Sequence, residues 1–145
     1  MSVRVLGVDL GDRRIGVAVS DSAGRLALAR VTIPRRAGSD DHRRQLVDLA
    51  RQEGVTHVVV GLPLGLDGRD GPAARQVRAE VQALTPLLQA AGADVELWDE
   101  RFTTVSAHRH LHQAGMSGRR RRAVVDQTAA AVLLQAWLDA AAARG

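Results

Sequence analysis

The chain has 145 residues, 46% of them hydrophobic, enough apolar mass for the core of one domain spanning 1–145. It contains no Cys and no Tyr, all 20 basic residues are Arg, and the net charge is +4. These absences exclude Schiff-base catalysis, a lysine-bearing phosphate loop, thiol and tyrosine nucleophiles, disulfides, and cysteine-ligated zinc or iron–sulfur clusters.

Residues 3–10, 15–19 and 26–33 are mostly β-branched or otherwise apolar, and the short joints Gly11-Asp12-Arg13 and Asp21-Ser22-Ala23-Gly24 suit hairpins. Three antiparallel strands are therefore predicted first, the third ended by Pro34. Residues 40–53 carry Leu46, Leu49 and Ala50 at helical spacing, with Gly54 as a stop, and 56–60 form an apolar run suited to a central parallel strand. The glycine-rich segment 61–71 reads as a loop that contacts substrate, moves as a lid, or merely connects. A helix then opens at Pro72, carries Val77, Val81, Leu84 and Leu88 inward, and should kink at Thr85-Pro86. A fifth strand over 94–98, a helix over 103–114 stopped by Gly115, and an alanine-rich helix over 123–142 complete the order βββαβαβαα. The expected architecture is α/β: a five-stranded mixed sheet, three antiparallel strands followed by parallel ones, with helices on both faces.

The apolar runs are too short to span a bilayer, and there is no charged-then-apolar leader, so a soluble, cytoplasmic protein without a membrane partner is expected. The sequence pI of about 11.2 is inflated, because without Lys, Tyr or Cys almost nothing titrates between His and Arg. Charge distribution is more informative. Residues 101–125 hold six arginines and no acid, giving +6, whereas the rest has 14 arginines against 16 acids, giving −2. Arg119, Arg120, Arg121 and Arg122 stand before the predicted last helix, at its positive end, where an external polyanion would compensate them. His108, His110 and His112 lack a nearby Glu or Cys to complete a metal set and read as part of the same basic surface. The scarcity of aromatics argues for recognition of nucleic acid through shape and backbone, not base stacking.

Three carboxylates occupy positions that need explaining. Asp9 follows Val3, Val5 and Gly7 on one face of the first strand, where a carboxylate is costly unless paired or metal-bound. Glu100 lies just past the fifth strand, at the edge where open α/β sheets place ligands. Asp126 heads an apolar stripe of Ala129, Ala130, Leu133 and Trp137. Each has an ordinary alternative: a turn residue, a surface ion pair, and a residue favouring a helix N-terminus. Convergence of all three would call for a hard divalent cation, Mg²⁺ or Mn²⁺.

Gly7-Val8-Asp9-Leu10-Gly11, followed by Arg14-Ile15-Gly16-Val17-Ala18-Val19-Ser20-Asp21, resembles the opening motif of the YqgF family, also called RuvX, in the ribonuclease H-like superfamily. Three more segments match in order: Val59-Val60-Gly61-Leu62-Pro63 with Asp67-Gly68; Asp99-Glu100-Arg101-Phe102-Thr103-Thr104; and Val125-Asp126 with Ala129-Ala130 and Leu134-Gln135-Ala136-Trp137-Leu138-Asp139. Departures are mild: Phe102 where Leu is usual, Arg69 where Ser is frequent, and a basic run made wholly of Arg. The resemblance implies a ribonuclease H-like fold and a metal-dependent nuclease processing the 5′ end of pre-16S rRNA, with Holliday-junction resolution as the alternative. It implies that Asp9, Glu100 and Asp126 are the catalytic, metal-holding carboxylates for two Mg²⁺ or Mn²⁺ ions, with Arg14, Arg101 and Arg119 to Arg122 on the nucleic acid. The substrate would be precursor rRNA, free or within ribosomal precursor particles, or branched DNA; without Cys, any homodimer would be non-covalent.

In that superfamily's sheet order Asp9 and Glu100 stand two strands apart, roughly 10 Å, so Glu100 must reach inward or one metal must wait for substrate. Two rival classes remain. The first hairpin also looks like the phosphate-binding hairpin of the actin and sugar-kinase superfamily, which needs two such domains, and a non-catalytic nucleic-acid-binding module would not need all three acids.

Overall fold

The computed structural model describes residues 4–103 and 118–144, with side chains left aside for 118–128. Five strands, β1 (Val5–Leu10), β2 (Arg14–Ser20), β3 (Ala27–Pro34), β4 (His57–Leu62) and β5 (Asp94–Asp99), form one sheet in the order β3-β2-β1-β4-β5. β1 pairs antiparallel with β2 and β2 with β3, whereas β1–β4 and β4–β5 are parallel. The helices are α1 (Asp41–Glu53), α2 (Pro72–Ala90) and α3 (Gly118–Arg144), and a 3₁₀ turn, Glu100–Phe102, follows β5. Among the described residues no helix is long and apolar enough to cross a membrane.

Period-two alternation divides the strands between two cores. Leu6, Val8, Val17, Val58 and Val60 pack with Leu46, Leu49, Val77, Leu84 and Leu88 beneath α1 and α2. Val5, Ala18 and Val59 face the other way, onto Ala129, Ala130, Leu133, Leu134 and Leu138 of α3. The mixed sheet with helices on both faces is as expected, and Gly54 ends α1 in the left-handed region at φ 64°, with its N–H on the last carbonyls.

Two element boundaries near the site differ from expectation. β4 runs on through Gly61 and Leu62, because Leu62 is buried and both residues pair with β5; the glycine count alone had placed them in the loop. α2 contains Pro86 and runs to Ala90, with Leu88 buried as expected. α3 starts at Gly118 and not at 123, so the four arginines form its first turn and Asp126 stands about two turns inside it instead of opening it. Arginine's good intrinsic helix propensity extends the alanine-rich helix backward across a run that the helix dipole disfavours. The helix expected over 103–114 lies almost wholly outside the described residues.

One buried charge network joins α1, α2 and the segment after β3. Glu80, 4% exposed, sits between Val77 and Leu84 on the inward stripe of α2. Its Oε1 accepts from Arg35 Nη2 at 3.1 Å and Arg43 Nη2 at 3.0 Å; its Oε2 accepts from Arg43 Nε at 2.9 Å and lies 2.8 Å from His42 Nε2. Burial alone would raise the Glu80 pKa, but hydrogen bonds from Arg43 and His42 outweigh it and lower the value from 4.5 to about 2. The carboxylate therefore contributes stability that is fully present above pH 4.5 and disappears as pH falls towards 2. Glu80→Gln is expected to cost roughly 2 kcal/mol near neutrality, since Arg35 and Arg43 are only partly buried and can regain water, while His42 stays buried beside the new amide. In urea unfolding, the gap between the wild-type chain and this variant should shrink progressively under acid. A gap constant with pH would refute the assignment.

Candidate active site

Asp9 lies near the C-terminal end of β1, 6% exposed, on the face that carries Val5 and Gly7 towards α3. Its partner on β2 is Gly16. On the other side, one residue beyond the Val8–Val60 pair, stands Gly61 of β4. A buried carboxylate is thus flanked across the sheet by two residues without side chains, which leaves space beside it on the α3 face.

Glu100 fills part of that space. A Cβ placed on Gly61 would stand 2.6 Å from Glu100 Oε1 and 3.2 Å from its Cδ and Cγ. The carboxylate therefore lies directly over β4, the strand between β5 and β1. Glu100 thus reaches inward, one of the two alternatives that the two-strand separation left, and the turn after β5 produces that reach. Asp99 Oδ1 accepts from the Arg101 amide at 2.9 Å, and Glu100 O accepts from the Thr103 amide at 3.0 Å and hydroxyl at 2.9 Å, so the chain folds back immediately past the sheet edge. Sequence reading gave Gly61 no role beyond the loop. The available signal was a glycine interrupting an apolar strand, which marks a close approach by another group.

α3 supplies the remaining wall. A Cβ on Gly7 would meet Leu134 Cβ at 2.7 Å and Ala130 O at 3.0 Å, so the absence of a side chain at position 7 sets how closely helix and strand approach. Ala129 and Ala130 are fully buried there. Asp126 belongs to the same helix, one turn before them, but its side chain lies outside the described residues, as do those of Arg119 to Arg122. His108, His110 and His112 lie outside them altogether. Among the described residues no group of three His, Cys, Asp or Glu side chains could hold a metal ion; Asp9 and Glu100 are two carboxylates on one face.

Of the two arginines beside these acids, Arg14 opens β2, partly buried, and its carbonyl accepts from Gly11 N at 3.0 Å to close the β1–β2 hairpin. Arg101 is matched by Asp99: Nη2 lies 2.6 Å from Oδ2, and Nε donates to both carboxylate oxygens at 3.1 and 3.0 Å. Those hydrogen bonds hold the Asp99 carboxyl below its usual range and raise Arg101. Arg101 also stands against the loop after β4, with Nη1 3.1 Å from where a Gly68 Cβ would be. That loop is closed on itself by Gly65 N to Arg69 O at 3.0 Å and Gly68 N to Gly65 O at 2.9 Å, and presents Leu66 98% exposed at its tip. Arg101 thus lies between the turn carrying Glu100 and the loop following β4.

The family model described as "RuvX: Holliday junction resolvase" matches residues 3–140. The chain is 47% identical over 138 residues to a protein of Myxococcus xanthus (strain DK1622) named "Putative pre-16S rRNA nuclease", covering 95% of this chain and 89% of that one. A protein of Symbiobacterium thermophilum with the same name is 45% identical over 142 residues, 98% of this chain and 96% of its own. Among solved structures, T. thermophilus RuvC in complex with a Holliday junction substrate superposes with a TM-score of 0.64 at 14% identity, covering 97% of this chain and 96% of that one, a likeness of fold.

Proposed function

Because the chain belongs to the RuvX family, we propose that it is a metal-dependent nuclease that hydrolyses phosphodiester bonds, acting at the 5′ end of pre-16S rRNA. The observation that carries this reading is the seat of Glu100 over Gly61, beside the buried Asp9, in space that any other residue at position 61 would fill. Two carboxylates brought together on the edge of a sheet repel one another, and that donor set suits a hard divalent cation. Asp9, Glu100 and Asp126 would hold two Mg²⁺ or Mn²⁺ ions, which supply activation of water and neutralisation of charge on the scissile phosphate.

The chain's own residues prepare that chemistry. The sheet fixes Asp9, the 3₁₀ turn and the Asp99–Arg101 pair orient Glu100, and the arginines of the first turn of α3 supply positive charge for the polynucleotide backbone. With three aromatic residues in the whole chain, recognition rests on backbone and shape.

The test is cleavage of a precursor 16S rRNA fragment and of a four-way DNA junction. EDTA is expected to abolish activity and Mn²⁺ to restore it, Asp126→Asn to remove it, and the RNA to be cut in preference to the junction. Preference for the junction would assign the chain to Holliday-junction resolution, the activity given in the family description. Cleavage that persists in EDTA would overturn the metal-dependent mechanism.

A further inference from the structure

The opposite face of the same sheet end carries a second built feature. The turn between β1 and β2, the segment after β3, the first turn of α1 and the second and third turns of α2 border an open cavity of about 750 Å³. Arg13, Arg35, Arg36 and Arg43 line it, against the carboxylates of Asp12 and Glu80. Glu80 is already engaged by Arg35 and Arg43, which fixes those two guanidinium groups in the wall. Among the described residues, the Arg13 and Arg36 side chains have no ion pair, and both residues are exposed at the rim. The cavity therefore keeps an excess of positive charge, part of it rigidly held and part free to close on a ligand.

His42 leaves the same wall incompletely satisfied. It lines the cavity and is 3% exposed, with Nε2 2.8 Å from Glu80 Oε2, yet its buried Nδ1 has no hydrogen-bond partner in the chain. An unmet polar atom at such burial is costly. Arg35 also donates through Nη1 to Gly11 O at 3.1 Å, two residues beyond Asp9, so the cavity is tied to the strand end that carries the proposed catalytic carboxylate.

We propose that this arginine-lined cavity is a second phosphate-binding subsite, seating a backbone phosphate of the same polynucleotide at a position away from the scissile bond. The identity of the polyanion rests on the nuclease reading; the cavity's preference for phosphate rests on its own residues. Phosphate on this face and cleavage on the α3 face would make the strand pass around the sheet end, over the Gly11 to Arg14 hairpin. The subsite would then help to set which bond reaches Asp9.

The experiment uses the full chain and an Arg13→Ala, Arg36→Ala double variant, chosen because these side chains take no part in the Glu80 network. Binding of a fluorescently labelled precursor-rRNA fragment is measured in EDTA over a range of salt concentrations, so that no cleavage intervenes. The variant is expected to bind more weakly, with a slope of log affinity against log salt smaller by about 1, and to retain the wild-type unfolding midpoint in the absence of RNA. An unchanged affinity and slope would overturn the subsite. Thermal unfolding with inorganic phosphate forms the second arm. Protection of the wild-type chain but not the variant, with RNA binding unaltered, would assign the cavity to a free small anion and overturn the strand contact. Failure of the nuclease reading looks different: RNA would bind with the expected dependence on both arginines, yet no divalent ion would elicit cleavage.

Discussion

Asp9→Asn is expected to lower divalent-ion-dependent cleavage by more than about a thousandfold while leaving the fold intact. The amide is nearly isosteric with the carboxylate, so the packing of β1 between β2 and β4 is retained, and Gly16 and Gly61 leave room for either group. What is lost is negative charge at a position 6% exposed, where no other acid can take its place from solvent. Full-length substrate should persist in a time course with Mn²⁺, while binding of the same substrate in EDTA stays within a fewfold of wild type. Cleavage at a wild-type rate would remove Asp9 from the reaction and leave it a structural acid.

Gly61→Ala is expected to reduce cleavage by about two orders of magnitude, although position 61 offers no reactive group. The new methyl would overlap Glu100 Oε1 at 2.6 Å and crowd Cδ and Cγ at 3.2 Å. These atoms are the flexible end of a side chain, so Glu100 would swing off β4 and the backbone would remain. Stability should therefore change by less than about 1 kcal/mol, and far-ultraviolet circular dichroism and the unfolding midpoint should resemble those of the wild-type chain. A higher Mn²⁺ requirement is the signature that separates a displaced ligand from general damage. Unaltered activity at every Mn²⁺ concentration would show that Glu100 is not needed where it lies. Gly7 differs in kind, because its obstructing neighbours are Leu134 Cβ and the Ala130 carbonyl, parts of α3 that cannot move independently.

The two carboxylates were legible in the sequence to different depths. Alternation along β1 placed Asp9 on the face of Val5 and Gly7, and the structure keeps it there, buried. Glu100 was legible as a residue at a sheet edge, but its reach was not, because that depends on the Asp99-capped turn and on the glycine facing it from β4. Arg101 read as one charge in a basic segment and, by resemblance, as a contact to nucleic acid. In the fold it is matched by Asp99, a local pairing two positions apart that charge counting over a whole segment averages away, and it stands beside the Gly68 loop.

By itself the sequence determined the order of the described strands and helices, the division of each strand into two faces, the inward position of Asp9 and the chemistry that missing Lys, Cys and Tyr exclude. These depend on composition and on periods of two and 3.6 residues, which are properties of neighbouring positions along the chain. Only the tertiary structure decided that Glu100 lies over Gly61, that β4 continues through Leu62, and that Arg35, Arg43 and His42 converge on Glu80. Arg35 and Glu80 are 45 positions apart, and no local pattern encodes which distant residues a sheet register and two packed helices will bring within hydrogen-bonding distance. The glycine-flanked carboxylates and the arginine-lined cavity occupy opposite faces of one sheet end because β1 delivers Asp9 to one face and leads directly into the hairpin that borders the other.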